Sequence, residues 1–300
     1  MTTGPASESG GAPAARPGSR RLPPERGSGA VIDVHVHLLP GLDDGPETLE
    51  ESLELARALS TEGVTRAVAT PHCVRGGAYD PTPERIRSGV AQLRAALQEA
   101  GIALEIHPGA EVALEPDLYG LLASGRYLTL AETGRYLLLE LPADEIPPYT
   151  KRVVFDCLVH GVVPVLAHVE RNRAIARDPN QLWDLVERGA LAQVNASSVA
   201  SSDPAVQRLV RTLLKHDLAH LVASDAHHAS RRPPRWRAAM AVLRDWVGDR
   251  RAVELTVEIP AAIVEGRPVP EPNPQRVRSA SPVRRVMGWL RRGVDATLRA

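Results

Sequence analysis

The segment Asp33-Val-His35-Val-His37, followed by Gly41-Leu-Asp43-Asp44-Gly45, gathers imidazoles and carboxylates at spacings that suit metal coordination. Side chains two residues apart on a β-strand share a face, so this spacing predicts that Asp33, His35 and His37 point the same way. The apolar residues between them read as a strand with the histidines at its carboxyl end. Parallel α/β proteins build their sites at that end, and two imidazoles there can reach one ion.

The same residue types recur where later strands are predicted to end. His72 follows the second (AVATPH), Glu111 the third (HPGAE), Glu140 closes the fourth (LLLE), His168 closes the fifth (VLAH), and Asp225 with His227 follows the seventh (ASDAH). With His35, His37 and Asp44 this makes five histidines and four carboxylates, too many for one tetrahedral ion. They suit two or three divalent ions bridged by a carboxylate. Nitrogen and oxygen ligands without thiolate point to Mn, with Zn or Fe as alternatives. His107, His160, His216 and His220 read instead as helix, cap or core residues, Cys157 as core, and Asp144-Glu145 as a solvated turn.

Positioning these groups needs alternating strands and helices. The pattern predicts strands at 31–38, 65–70, 103–107, 136–141, 163–167, 191–194 and 219–223. Helices are predicted at 47–61, 82–99, 149–159, 180–188, 204–216 and 234–247, with a last one near 250–265. Seven such units suit a closed (β/α) barrel, with an open doubly wound sheet as the alternative. No glycine-rich dinucleotide fingerprint is present.

With 36 basic and 36 acidic residues among 300, the chain lacks the basic excess of a nucleic-acid binder. Two cysteines cannot form a disulfide framework, and no run approaches the roughly 18 apolar residues of a membrane span. A cytoplasmic protein is expected. Residues 1–30 are rich in Gly, Pro, Ser and Arg and read as a disordered leader, 31–266 as the folded domain, and 267–282 as a Pro-rich linker. In 283–300, Val283, Met287, Leu290, Val294 and Leu298 recur every three or four residues opposite four arginines. This basic amphipathic tail suits a membrane surface, a partner groove, or the chain's own domain.

Asp33-x-His35-x-His37, His72, His168 and Asp225-x-His227 resemble the metal motifs of the PHP (polymerase and histidinol phosphatase) superfamily. The segments DVHVHLLPGLDDGPET, TPH, GAE, LLLELP, LAHVER, QVNASS and SDAHH are similar to its bacterial branch of tyrosine phosphatases found beside polysaccharide-export kinases. The resemblance covers roughly residues 31–265. It implies a distorted seven-stranded (β/α) barrel. It also implies metal ligation by His35, His37, Asp44, His72, Glu111, Glu140, His168, Asp225 and His227, and phosphate binding by Arg171 and Arg232. A metal-activated water would attack phosphorus without a covalent enzyme intermediate, and Asp225 or His227 would assist proton transfer to the leaving phenolate. His72-Cys73 also resembles the start of the cysteine-phosphatase signature, which demands Arg where this chain has Tyr79.

The implied substrate is a tyrosine-phosphorylated protein, in particular a membrane-associated polysaccharide kinase, near which the tail would hold a peripheral enzyme. A homo-oligomer is a further implication. A PHP phosphatase of a small metabolite, such as histidinol phosphate or a nucleotide, and a non-catalytic metal-stabilised interaction module are the alternatives.

Overall fold

The computed structural model describes Met1 and residues 30–278. Nine short strands run through it: β1 (Val31–Val36), β2 (Val64–Ala69), β3 (His72–Cys73), β4 (Glu105–Pro108), β5 (Glu111–Ala113), β6 (Tyr136–Glu140), β7 (Val163–Leu166), β8 (Leu191–Asn195) and β9 (Leu221–Ala223). All their pairings are parallel. One sheet has the order β1-β2-β4 and the other β3-β5-β6-β7-β8-β9. A parallel bridge from Val36 to Ala226 joins β1 to the residues just past β9. The result is an α/β fold around a curled parallel sheet.

Seven strands are expected from the sequence; the two further ones, β3 and β5, lie just past the expected strands 65–70 and 103–107. Pro71, which has no N–H to give a ladder, separates β2 from β3. Gly109-Ala110 separates β4 from β5, and a Cβ on Gly109 would stand only 2.7 Å from Val68 Cγ1. In the β3–β5 pair, His72 and Glu111 sit opposite one another in register.

Helices cover the outer face. Thr48 caps the helix Leu49–Thr61 by accepting from Glu51 N, and Thr82 caps Pro83–Glu99, with proline in the first turn. Asp203 does the same ahead of Pro204–Lys215. Short helices at Leu118–Ala123, Arg173–Arg177 and Ala196–Val199, absent from the sequence reading, occupy loops between strands and helices. The long helix starting at Trp236 passes Gly248, whose φ of +78° breaks the regular winding, before Ile259–Val264 ends the domain.

Two apolar layers follow from strand alternation. Leu55, Leu59, Leu93, Leu97, Leu213 and Leu243 of the helices meet Val31, Ala67, Leu137, Leu139 and Val222 of the strands on the outside of the sheet. Ile32, Val34, Val68, Leu138, Val165 and Leu221 fill the inside, where Ile259 and Ile263 close one end. Side chains buried this completely contribute about 1.5–3 kcal/mol each.

β1 departs from simple alternation. Its register against β2 shifts between Asp33 and Val36, which adds one residue on β1. Ile32 and Val34 therefore face the inner layer while Val36 faces the outer one. The expectation that Asp33 shares a face with the histidines is overturned here. Asp33 Oδ2 accepts from Trp236 Nε1 of the outer layer at 3.0 Å, and Oδ1 accepts from Ser224 N at 3.0 Å and His35 N at 3.3 Å. Thr70 Oγ1 takes the other amide loosened by the bulge, Val36 N, at 3.0 Å.

Residues 267–278, in the segment read as a linker, lie against the domain. Val269 joins the inner layer and Val277 the outer one. Asn180 holds Val277 through two hydrogen bonds, Trp183 Nε1 donates to Pro274 O, and Arg276 stacks on Trp183 at 3.8 Å. Most of the leader and the whole basic tail lie outside the described residues. Among the described residues no helix is long and apolar enough to cross a membrane.

Candidate metal centre

The carboxyl ends of the strands deliver the nine predicted ligand residues to one place. His35 lies in β1 and His37 just beyond it; Asp44 is in the next loop, His72 in β3, Glu111 in β5, Glu140 at the end of β6, His168 after β7, and Asp225 and His227 after β9. Glu111 is the hub. Its Oε2 lies 2.9, 3.2 and 3.3 Å from ring nitrogens of His72, His35 and His37, and its Oε1 lies 2.9 Å from His168 Nε2.

The tautomers of the first two histidines are set by their other nitrogens. His35 Nδ1 donates to Gln193 Oε1 at 3.0 Å and His37 Nδ1 to Asp43 Oδ2 at 2.5 Å. Both Nε2 atoms therefore face each other, 3.2 Å apart. Asp225 Oδ1 lies 3.5 Å from each, so with Glu111 Oε2 two imidazole nitrogens and two carboxylate oxygens gather in one place. A proton on His37 or a bound cation offsets the charge of this set. Ligand atoms about 2.0–2.1 Å from one tetrahedral ion stand roughly 3.3–3.4 Å apart, and the separations between the two imidazole nitrogens and from each of them to Glu111 and Asp225 fall near that value.

Two further groupings surround this one. His72 Nδ1 approaches Glu140 as well as Glu111, and His168 Nε2 lies 3.6 Å from the other Glu140 oxygen. Asp44 Oδ1 lies 3.1 Å from His227 Nε2 and 3.4 Å from His72 Nε2. His227 Nδ1 donates to Asp225 O, so its Nε2 also points a lone pair at a carboxylate. Glu111 Oε2 and His227 Nε2 are buried without a hydrogen-bond partner. The donor set and these orphaned atoms fit divalent ions.

Burial opposes charge throughout the cluster, and the close partners override it. Burial would lower His37, yet the field of Asp43 and hydrogen bonds to Asp225 and Glu111 hold it well above the usual imidazole value. Glu111 and Asp225, although buried, are held well below the carboxylate range, each chiefly by His35. Burial pushes His227 down to about 4 despite Asp44, and it raises Glu140 beside Glu111. An ionised Asp225 and a neutral His227 suit ligation. Burial also drives the Cys73 thiol up to about 12, which removes it as a nucleophile.

Both predicted arginines reach the cluster's rim. Arg171 Nη1 and Arg232 Nη2 donate to Asp225 Oδ2 at 2.8 and 2.9 Å, and Arg232 also stands 3.6 Å from Asp44. Arg171 is half exposed, so its remaining donors are free for an incoming anion. Two ligand positions carry backbone strain, with φ of +30° at His168 and +52° at Asp225.

The sequence reading missed the residues that orient the ligands. Asp43 accepts from His37 Nδ1 and from His72 N, while Gln193 accepts from His35 Nδ1 and His168 N. Gln193 Nε2 donates to Asn195 Oδ1, and Asn195 Nδ2 donates to Asp225 Oδ2. The available signal was Gln193 and Asn195 alternating with apolar residues in a buried strand.

Comparison with known proteins agrees with this geometry. Residues 31–265 match the family model described as capsular polysaccharide synthesis, CpsB/CapC. The tyrosine-protein phosphatase YwqE of Bacillus subtilis is 35% identical over 227 residues, covering 75% of this chain and 89% of its own. The tyrosine-protein phosphatase CpsB of Streptococcus pneumoniae is 30% identical over 240 residues, covering 78% and 98%. A solved structure from work on YwqE and CpsB, there described as unique metal-dependent tyrosine phosphatases, superposes with a TM-score of 0.79 at 34% identity, covering 83% of this chain and all of that one. The chain belongs to the CpsB/CapC capsular polysaccharide synthesis family.

Proposed function

We infer that this chain is a metal-dependent protein-tyrosine phosphatase, as its CpsB/CapC relatives are named. The observation that carries the reading is the gathering of Glu111 Oε2 and Asp225 Oδ1 around His35 Nε2 and His37 Nε2. In this reading those residues would hold one ion, His72, Glu111, His168 and Glu140 a second, and Asp44, His72 and His227 a third. Manganese is the proposed metal. The ions, when bound, supply an activated water and neutralise phosphate oxygens.

The chain's own residues do the rest. Arg171 and Arg232 release Asp225 Oδ2 in part and turn planar donor pairs on the phosphate, which orients it and offsets the charge that grows on its oxygens. Asn195 keeps Asp225 in place while they do so. Asp43 and Gln193 hold the two imidazoles with their Nε2 atoms inward. A phenolate is a good enough leaving group to depart without an enzymic proton donor. The two sheets would form one distorted seven-stranded barrel, with β2 and β3 one bent strand and β4 and β5 another. Residues 31–266 are the proposed catalytic unit and a polysaccharide-biosynthesis kinase the proposed substrate, in keeping with the family's link to capsular polysaccharide synthesis. We place the enzyme in the cytoplasm, peripheral to the membrane and self-associating.

The test is phosphate release by the full chain from a tyrosine-phosphorylated peptide, beside histidinol phosphate and a nucleotide, with Mn and then a chelator. Chelator-sensitive release favouring phosphotyrosine supports the reading, and release from the metabolites alone contradicts it.

A further inference from the structure

We propose that Tyr79, with Val74, forms the wall on which the substrate's phenyl ring rests, making the loop after β3 the aryl-selecting element of this site; this rests on the phosphatase reading above. Exposed large apolar side chains are few among the described residues, and two of them, Val74 and Tyr79, stand on this one loop. The loop leaves β3 after Cys73, one residue past His72. The Tyr79 ring lies nearly parallel to the His72 imidazole, with 18° between planes and 6.2 Å between centroids.

The cluster opens to solvent where Asp44, Glu140 and His72 keep part of their surface, so Tyr79 borders the opening through which an ester group must leave. The site has two chemically different sides. Arg171 and Arg232, gathered at Asp225, supply the cationic one. Val74 and Tyr79 supply the apolar one, beside His72. An aryl phosphate has the same division, with an anionic head and a flat apolar ring, whereas an alkyl phosphate ester has nothing to place on an aromatic face.

The wall is held in position rather than left loose. Val74 N donates to Tyr79 O and Gly77 N to Val74 O, both at 2.8 Å, closing the loop on itself. A Cβ on Gly77 would come within 2.9 Å of the Val74 side chain, so the tight turn requires glycine there. Gly76 N donates to Asp80, Asp80 pairs with Arg126, and Arg75 pairs with Glu115 at 2.7 Å. None of these contacts involves the Tyr79 ring, which nothing in the loop's own architecture requires to be aromatic.

The experiment compares wild type, Tyr79→Ala and Tyr79→Phe, each loaded with Mn, on a phosphotyrosine peptide and on an alkyl phosphate monoester. The quantity read is the ratio of the two kcat/KM values. Tyr79→Ala should lower that ratio about three- to tenfold, mainly through KM for the peptide, and Tyr79→Phe should keep it. An unchanged ratio in Tyr79→Ala, or an equal loss in Tyr79→Phe, overturns the aryl wall while leaving the phosphatase reading intact. A wild type inactive on the peptide overturns both.

Discussion

Asp33 and His35 stand two residues apart on one strand, yet their side chains enter different layers: Asp33 accepts from Trp236 on the outer side of the sheet, and His35 faces Glu111 within the cluster. The added residue in β1 separates them. Asp33 thus braces the bulge that turns the histidines inward, and its burial raises its pKa against hydrogen bonds from Ser224, Trp236 and His35.

Replacing Asp33 should therefore damage the fold before the metal site. Asp33→Ala leaves buried donors on Ser224, Trp236 and His35 unpaired, at about 1–3 kcal/mol each before any relaxation. Chemical denaturation should show a loss of at least a few kcal/mol, while metal content per folded protein stays near wild type. A variant of unchanged stability with one ion missing would make Asp33 a ligand instead.

Asp43 should act through His37. With its carboxylate gone, as in Asp43→Ala, the imidazole loses the acceptor that fixes its tautomer, and metal affinity should fall about 10–100-fold. Activity should return at high Mn concentration. His37→Ala removes the ligand itself and should show no such rescue; equal behaviour of the two variants in a metal titration would refute the distinction.

Arg171→Ala and Arg232→Ala should each lower kcat/KM by about a hundredfold, since each removes donors aimed at growing charge. Lysine should restore little, because an ammonium lacks the planar fork. Full rescue by Arg171→Lys and Arg232→Lys in steady-state assays would reduce the arginines to a general positive field.

His220 predicts a pH dependence of stability remote from chemistry. Its Nδ1 accepts from Ala192 N and its Nε2–H donates to Asp217 O, and burial lowers its pKa to about 4 from 6.5. The unfolded chain binds the extra proton between those values, so this contribution is complete above about pH 6.5 and is lost as pH falls toward 4. The full difference is roughly 3 kcal/mol. In His220→Asn, whose Oδ1 can replace Nδ1 as acceptor, denaturation at pH 7 and pH 5 should show a smaller difference than in wild type; an equal difference would locate the dependence elsewhere.

Much of this arrangement is legible in the sequence because it repeats a local rule. His72, Glu111, Glu140, His168 and Asp225 each follow an apolar strand, and parallel packing brings such ends together. What the sequence hides depends on contacts far along the chain. The bulge in β1 requires Thr70 and Ser224 as partners, and the break at Gly109 is dictated by Val68. Asp43 and Asp44 are neighbours with different tasks, one on His37 and one facing His227, and only the loop's path separates them. Residues 267–278 read as a linker because proline breaks regular structure, but their carbonyls and amides find Trp183, Asn180 and Asp217.

The most direct test of the metal-centre account is to measure metal content and phosphotyrosine-peptide hydrolysis together in wild type and Glu111→Gln. Glu111 contacts four of the five histidines in the cluster, so the amide should leave the fold intact and lower both metal content and rate, the rate by several orders of magnitude. A folded Glu111→Gln protein with wild-type activity after chelation would contradict the account.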